Sequence, residues 1–496
     1  MAEGRLCDVR ATDTSRALRC RASFPMCVAL PQGECAQASY ARQCPHPCMP
    51  PPLAAMAPAS DSPSSPASLA AGSLVSAFAQ CYAWHQAATA PFRTLGFGID
   101  TCRRDGKLQP VSEHTVAATP FCRLVAFRAA TPGPARRLLC APLAGHRALQ
   151  LRGMIETLLE DGDVYVTDWI DARDIPVSAG PFSFDRNVLT LAGFMTMLST
   201  AGLDVIAVCQ AAVPALGACA RLAAQGMAEP ATLALIAGPI DARIHPTRID
   251  RMAAAMTPAA FRRRWTGPVP AGYAGAGRMV YPGFLQAAAL SGEAAGHHVV
   301  LASELATALW CRPAHAPGAL HAVAVHYGAM LDLPAEFVAD TLRVVFRAFQ
   351  LPRGRWKVAG EAVRPRVLRT MRLLTVEGGR DSVTGAGQTH AAHALCTGLP
   401  AAHHASLTFP DCAHYDLLGG ERWRVQVWPA IQAWLARAQP APQGGTARTA
   451  PRAAQDSSTY VPGASTRAPG AGSRAGTRPL SRAASHSNQH GHHEPS

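Results

Sequence analysis

Between about residues 74 and 438 the chain alternates short apolar runs with stretches whose apolar residues recur every three to four positions. "RRLLC" reads as a short strand, with a glycine-bearing turn, "APLAGH", behind it. "LQLRGMIETLLE" then sets Leu151, Ile155, Leu158 and Leu159 on one helical face. "DVYVTDWID" predicts a strand ending at Thr167, and "VLTLAGFMTMLSTAG" a helix that stops at Gly202. A strand over 205–208, a helix over about 210–225 and a strand in "TLALIAG" follow. Farther on, "RLLTVEGGRD" predicts a strand over 373–376 with a turn behind it, "AGQTHAAHALCTGL" a helix and "ASLTFP" a strand. "RWRVQVWPAIQAWLARA" closes the pattern as a helix bent near Pro429. Strand and helix in alternation predict an α/β fold, a mostly parallel sheet covered on both faces.

Residues 241–350 break the rhythm with "FRRRW", "YAGAG", "YPGFLQAAAL" and the helical "AEFVADTLRVVFRAF". A long insertion between two core strands is the usual place for a helical cap over a site. The ends read differently from this core. Residues 439–496 are Ala, Pro, Gly, Ser, Thr and Arg with few large apolar side chains, a basic tail too poor in burial to offset its ordering entropy. The tail closes on the His-rich "HSNQHGHHEPS", read as an unstructured polar end. Residues 1–73 hold Cys7, Cys20, Cys27, Cys35, Cys44 and Cys48 and then a Pro/Ser/Ala linker. They are expected to be a disordered extension, or to lie upstream of a true start at Met49 or Met56. No CxxC pair marks a zinc site there, and no apolar core behind basic residues marks a secretory signal.

Charge and cysteine usage narrow the picture further. The net charge of +13 comes from scattered arginine, Lys107 and Lys357 being the only lysines. Without a dense basic stripe interleaved with aromatics, no nucleic-acid partner is expected. No run approaches the roughly 18 apolar residues of a membrane span. Cysteines without framework spacing suit a reducing cytoplasm.

The candidate chemistry centres on "DVIAVCQAAVP". A nucleophile at a strand-to-helix elbow sits on a strained turn and needs small residues two before and two after it, usually as G-x-S-x-G. Here Ala207 and Ala211 flank Cys209. A nucleophile, acid, histidine order continues with Asp381, on the turn after the strand over 373–376, and His414, after the strand in "ASLTFP". Glu377 and Asp411 compete for the acid role, but Glu377 reads as strand and Asp411 lies too near the histidine. His414 would take the thiol proton and return it to the leaving alkoxide, and Asp381 would hold the imidazole tautomer. The oxyanion hole would use the backbone N–H of Gln210 and one from "APLAGHRAL", at Ala144 or Gly145. His146 in that loop is a substrate contact or a packing histidine. No metal and no organic cofactor are expected in the core.

"TPFCRLVAF", "APLAGHRALQLRG", "DVYVTDWIDARDIP", "VIAVCQAAVP", "LIAGPIDARIHPT", "VYPGFLQ", "LLTVEGGRDSVTGAGQT" and "AHYDLLGGERWR" are collinear over about 76–438. Together they resemble the intracellular poly(3-hydroxybutyrate) depolymerases. The resemblance implies an α/β-hydrolase fold with cysteine in place of serine, and family motifs that fall on Cys209, Asp381 and His414. It also implies cleavage of amorphous storage polyester to hydroxyacid monomers and oligomers, in the cytoplasm, at the granule surface. The acyl acceptor is either water or CoA thiol, which these residues do not decide between. Ser382 stands where the family often has a second acid, and residues 292–327 depart from it. Two rivals remain. A polyhydroxyalkanoate synthase-like acyltransferase would make polymer from hydroxyacyl-CoA, though its elbow keeps glycines that "VCQAA" lacks. A catalytically silent granule-binding protein would show no turnover.

Overall fold

The computed structural model describes residues 96–143, 145, 147–290 and 330–436, with residues 79, 80, 82, 83 and 87 of a helical stretch before them. All lie within Ala70–Ser496, one of two units into which the chain divides. The N-terminal extension over 1–73, the tail over 439–496, the middle of the cap over 291–329, Ala144 and His146 lie outside the described residues.

Among the described residues nine strands form one sheet. They are β1 (Thr101–Arg104), β2 (Lys107–Ala118), β3 (Cys122–Ala129), β4 (Ala135–Cys140), β5 (Gly162–Trp169), β6 (Leu203–Val208), β7 (Thr232–Ile236), β8 (Arg372–Gly378) and β9 (His404–Phe409). Their order in space is β1-β2-β3-β5-β4-β6-β7-β8-β9. β1, β2 and β3 pair antiparallel, as do β3 and β5. Every pair from β5 through β9 is parallel. The helices used below are α1 (Arg152–Leu158), α2 (Phe184–Met197), α3 (Ala212–Ala224), α4 (Arg248–Ala255), α5 (Pro258–Trp265), α6 (Gly283–Leu290), α7 (Ala335–Thr341) and α8 (Trp428–Ala436).

The central strands read as unbroken apolar runs because both faces are covered. Leu138, Val205, Leu233 and Leu373 send alternate side chains into a core shared with Val188 and Leu191 of α2 and Leu216 of α3. Leu139, Ile206, Ala234 and Leu374 face the other core, with Ile155 of α1 and Ile431 of α8. The register Leu138↔Val205↔Leu233↔Leu373 holds these layers in line across four strands. Close packing also fixes Gly217: a Cβ there would stand 2.5 Å from the Trp356 ring.

Four expected boundaries shift, each for a local reason. The strand expected to end at Thr167 runs to Trp169, because Asp168 and Trp169 still pair with Arg123 and Cys122 of β3. The helix expected to reach Gly202 ends at Met197, and Ser199 and Gly202 both turn through positive φ (60° and 73°). The helix expected in "AGQTHAAHALCTGL" shrinks to Ala392–Leu395. The Glu377 carboxylate accepts from the backbone N–H groups of Gly387, Thr389 and His390, which hold the preceding segment in turns. The closing helix has a π turn over Trp423–Val427 before α8. Pro429 in the first turn of α8 supplies no N–H to the turn before it. The antiparallel β1–β2 edge had no counterpart among the expected elements. Most of β2 is exposed, so its apolar pattern is weak.

Between β7 and β8 the chain builds the cap region from α4, α5, α6, α7 and a three-stranded sheet of Gly267–Pro268, Met279–Tyr281 and Leu333–Pro334. Thr247 and Asp250 form a reciprocal capping box at α4, and Thr257 caps α5 with Pro258 at its first position. Among the described residues no helix is long and apolar enough to cross a membrane.

Candidate active site

The parallel strands β6, β8 and β9 end on one edge of the sheet, where open α/β sheets place their ligands. β6 ends at Val208, and Cys209 turns the chain with φ 53°. A 3-10 turn over Cys209–Ala211 leads straight into α3. A non-glycine residue in this region is strained by about 1–3 kcal/mol, tolerated where the surrounding packing dictates it. The packing here is tight. Ala207 and Ala211 are buried, and a Cβ at Gly238 would meet Ala212 Cβ at 2.2 Å and the Cys209 carbonyl oxygen at 3.0 Å. Larger side chains at the elbow would drive β6, α3 and the turn after β7 apart.

His414 is buried, and its Nδ1 lies 2.8 Å from Asp381 Oδ2. The other Asp381 oxygen, Oδ1, accepts from the backbone N–H groups of Val383 and Thr384, each at 2.8 Å. Asp381 is thereby locked as an acceptor, and His414 turns its second nitrogen to Cys209, to which it is hydrogen-bonded. Burial by itself would depress His414. The charges of Cys209 and Asp381 and hydrogen bonds to both override it and push the imidazole up to about 10. Such a histidine keeps its proton at neutral pH.

The competing acids do other work. Glu377 lies in β8, its carboxylate occupied by the three backbone N–H groups named above. Asp411 is largely exposed and pairs with Arg380 at 2.9 Å. Among the described cysteines Cys209 is the half-buried one, and the others are buried. Burial pushes the thiols of Cys219 and Cys396 up, the latter to about 12.

Cys209, Gln210 and His414 open onto a cavity of about 350 Å³. Met252, Met256, Phe261, Trp265, Leu342 and Phe346 of the cap supply much of its apolar wall. Gly145 is also on this wall, but its N–H donates to Gln286 Oε1 at 3.3 Å. Of the expected oxyanion donors, Gln210 and Gly145 line the cavity, but the Gly145 N–H is engaged by Gln286 and is not free to serve as a donor, while Ala144 falls outside the described residues. Two wall residues escaped sequence reasoning, Tyr415 and Gln286. The Tyr415 ring packs edge-on to His414 at 5.7 Å, and burial, with Cys209 and Asp381 nearby, raises its phenol to about 12. Its only sequence signal is adjacency to His414. Among the described residues no group of three or more His, Cys, Asp or Glu side chains is arranged to hold a metal ion.

Residues 237–439 match the family model of the PHB de-polymerase C-terminus, somewhat under half of the chain. Over that segment the chain is similar to the PHB depolymerases, and its strand order and elbow are those of an α/β hydrolase. Asp381 and His414 fall inside the matched segment, and Cys209 precedes it. No curated protein sequence matches the chain. Similar solved structures include a thermophilic esterase from Thermogutta terrifontis, 15% identical, with 66% of this chain and 98% of that one covered at a TM-score of 0.34. An alpha/beta hydrolase fold protein from Nakamurella multipartita is 16% identical over 66% and 99% of the two chains, at a TM-score of 0.35. The fold assignment rests on strand order and elbow, not on these values.

Proposed function

We propose that this protein is a carboxylic ester hydrolase that cleaves amorphous poly(3-hydroxybutyrate) through Cys209, His414 and Asp381. The observation that carries the proposal is the Asp381–His414–Cys209 chain of hydrogen bonds at the wall of an apolar cavity. Cys209 Sγ adds to an ester carbonyl, its proton held by His414, and the carbonyl oxygen becomes an oxyanion. The N–H of Gln210, at the start of the turn into α3, stabilises that charge with help from the helix dipole. Collapse breaks the ester C–O bond, and His414 gives its proton to the leaving alkoxide, releasing a hydroxyl-ended chain. His414 then takes a proton from water, whose oxygen attacks the thioester. A carboxylate-ended product leaves and the thiol is restored.

An apolar polyester chain suits the methionine and aromatic wall, and cleavage of mobile chains at a cytoplasmic storage granule fits the resemblance in the sequence. Pulling a chain from a crystal costs packing energy that the cap cannot recover, so native granules should be degraded much faster than annealed film of equal area. The test is incubation with native granules, with and without CoA, and identification of the products. Free hydroxyacids and oligomers in both arms support hydrolysis, and hydroxyacyl-CoA formed only with CoA would replace water by thiol as acceptor. Polymer made from hydroxyacyl-CoA would favour the synthase-like reading. Binding without turnover would reduce the protein to a granule-surface component.

A further inference from the structure

We infer that Gln286 is a positioning residue for ester cleavage, fixing Gly145 on the cavity wall that it shares with Cys209, in the loop expected to serve the developing oxyanion. The inference rests on the proposed role of Cys209.

Gln286 lies on α6 of the cap, is 4% exposed, and shares the cavity wall with Cys209 and His414. Its Nε2 donates to two backbone carbonyls, Tyr281 at 3.0 Å and Leu331 at 2.8 Å. Both amide hydrogens are used, so the amide cannot flip: reversal would set Oε1 against two carbonyls and the NH2 group against an N–H. Oε1 is thereby aimed at the Gly145 N–H. The Leu331 N–H in turn donates to the Gly145 carbonyl at 2.9 Å. One residue of the loop after β4 is thus held at both backbone groups by the cap, and it has φ 90°, a conformation open to glycine. A Cβ at Gly145 would meet nothing nearer than 4.0 Å, so conformation and not space requires the glycine. With its N–H committed to Gln286, Gly145 serves as the anchor of the turn. Through that anchor Gln286 sets where the loop after β4 meets the cavity. The cap then does more than line the cavity, because it holds a residue of the loop after β4 that shares the wall with Cys209.

The experiment compares two reactions of the same sulfur in the full-length protein. Acylation by p-nitrophenyl butanoate builds an oxyanion, whereas alkylation by iodoacetamide is displacement at a CH2 group and builds none. Gln286→Ala should slow the acylation burst about 100-fold, the scale of a lost oxyanion donor, with KM little changed. Alkylation of Cys209 should stay within about twofold of the parent, because the triad is untouched. Gln286→Glu keeps the shape and serves if the alanine variant does not fold. Protonated, it can still accept from Gly145 and donate to one carbonyl; ionised, it faces two carbonyls with no hydrogen. Its burst rate should therefore fall as pH rises through a new ionisation absent from the parent. Parallel loss of acylation and alkylation would overturn the inference, reducing Gln286 to support of the cap, and so would an unchanged burst. If alkylated parent enzyme still turns over ester, the role of Cys209 fails first, and this inference with it.

Discussion

His393 and His414 bracket β9, one packed beside its first residues and the other following its end, and they are tuned in opposite directions. His414 has a carboxylate on one ring nitrogen and a sulfur on the other, and is raised to about 10. Among the described residues no acid lies against the ring nitrogens of His393. Its Nε2 meets the hydroxyls of Thr375 (2.8 Å) and Ser406 (3.0 Å), and its Nδ1 meets His404 Nδ1 at 2.8 Å. Burial, then His404 and His390, press it down to about 4. Burial acts the same way on both rings, so the partners decide the outcome. A histidine cluster is not a site because it is a cluster. What raises His414 and suits it to carry a proton in the proposed reaction is an anchored acid behind it and a sulfur in front.

The strongest test removes the sulfur. Cys209→Ala should lower ester turnover by about 10⁴-fold or more, because the covalent route is lost. Iodoacetamide should label Cys209 before Cys219 or Cys396, whose buried thiols are held protonated. Inactivation and labelling of Cys209 should proceed together, and retained activity in the labelled protein would break the comparison at its root.

Removing the acid should come next in size. Asp381→Asn keeps the shape but loses the charge and the acceptor that fixes the His414 tautomer, so kcat should fall by about 10³-fold or more. Glu377→Gln offers the contrast: it weakens a structural carboxylate, so loss should appear chiefly as a lower Tm. If Glu377→Gln proved the more damaging to kcat at unchanged Tm, the acid would have been misassigned.

The third test is the pH profile. His414 with a raised pKa keeps its proton through neutral and mildly alkaline solution and loses it near pH 10. The imidazolium should therefore persist to that point, and acylation should decline as pH approaches 10, where the leaving alkoxide loses its acid. The sign for stability is the same: the raised pKa contributes fully below about 6.5, the ordinary value, and the contribution fades as pH rises through about 10. In Asp381→Asn the alkaline limb should move to lower pH. An unmoved limb would show that another group sets it.

These contrasts mark how far the sequence alone carries. The parallel core was legible because β4, β6, β7 and β8 are apolar on both faces, and the elbow because Ala207 and Ala211 are small where space is short. Asp381 and His414 were legible as polar residues just past strands. Gln286 was not, since it acts through Tyr281, Leu331 and Gly145, which come together only when the cap closes on the sheet. The turns after Asp381 hid for a similar reason. "AGQTHAAHAL" has helical apolar spacing, but the Glu377 carboxylate, ten residues or more upstream, claims three of its N–H groups. Long-range hydrogen bonds to backbone leave no periodicity to read.

The smallest expected effect concerns the other histidine. His393 lies among Thr375 of β8, His390 and its neighbour Glu377, and His404 and Ser406 of β9. It stays neutral in the fold down to about pH 4, while the unfolded chain takes up the proton at about 6.5. Between those values the unfolded state binds more protons, so stability is fully present above about 6.5 and falls as pH drops toward 4. Protonation would also set imidazolium against His404 across 2.8 Å, loosening the first residues of β9, which carries His414 at its far end. His393→Gln keeps hydrogen-bonding groups for Thr375 and Ser406 and removes the titration. Its Tm should be less sensitive to pH between 6.5 and 4 than that of the parent, with ester turnover at neutral pH within about twofold. Thermal unfolding by circular dichroism of both proteins at matched ionic strength reads the difference directly. Parallel curves would mean that His393 is not the group that senses acid. A large loss of turnover at neutral pH would mean that this cluster is coupled to the site, and that the separation between the two histidines is false.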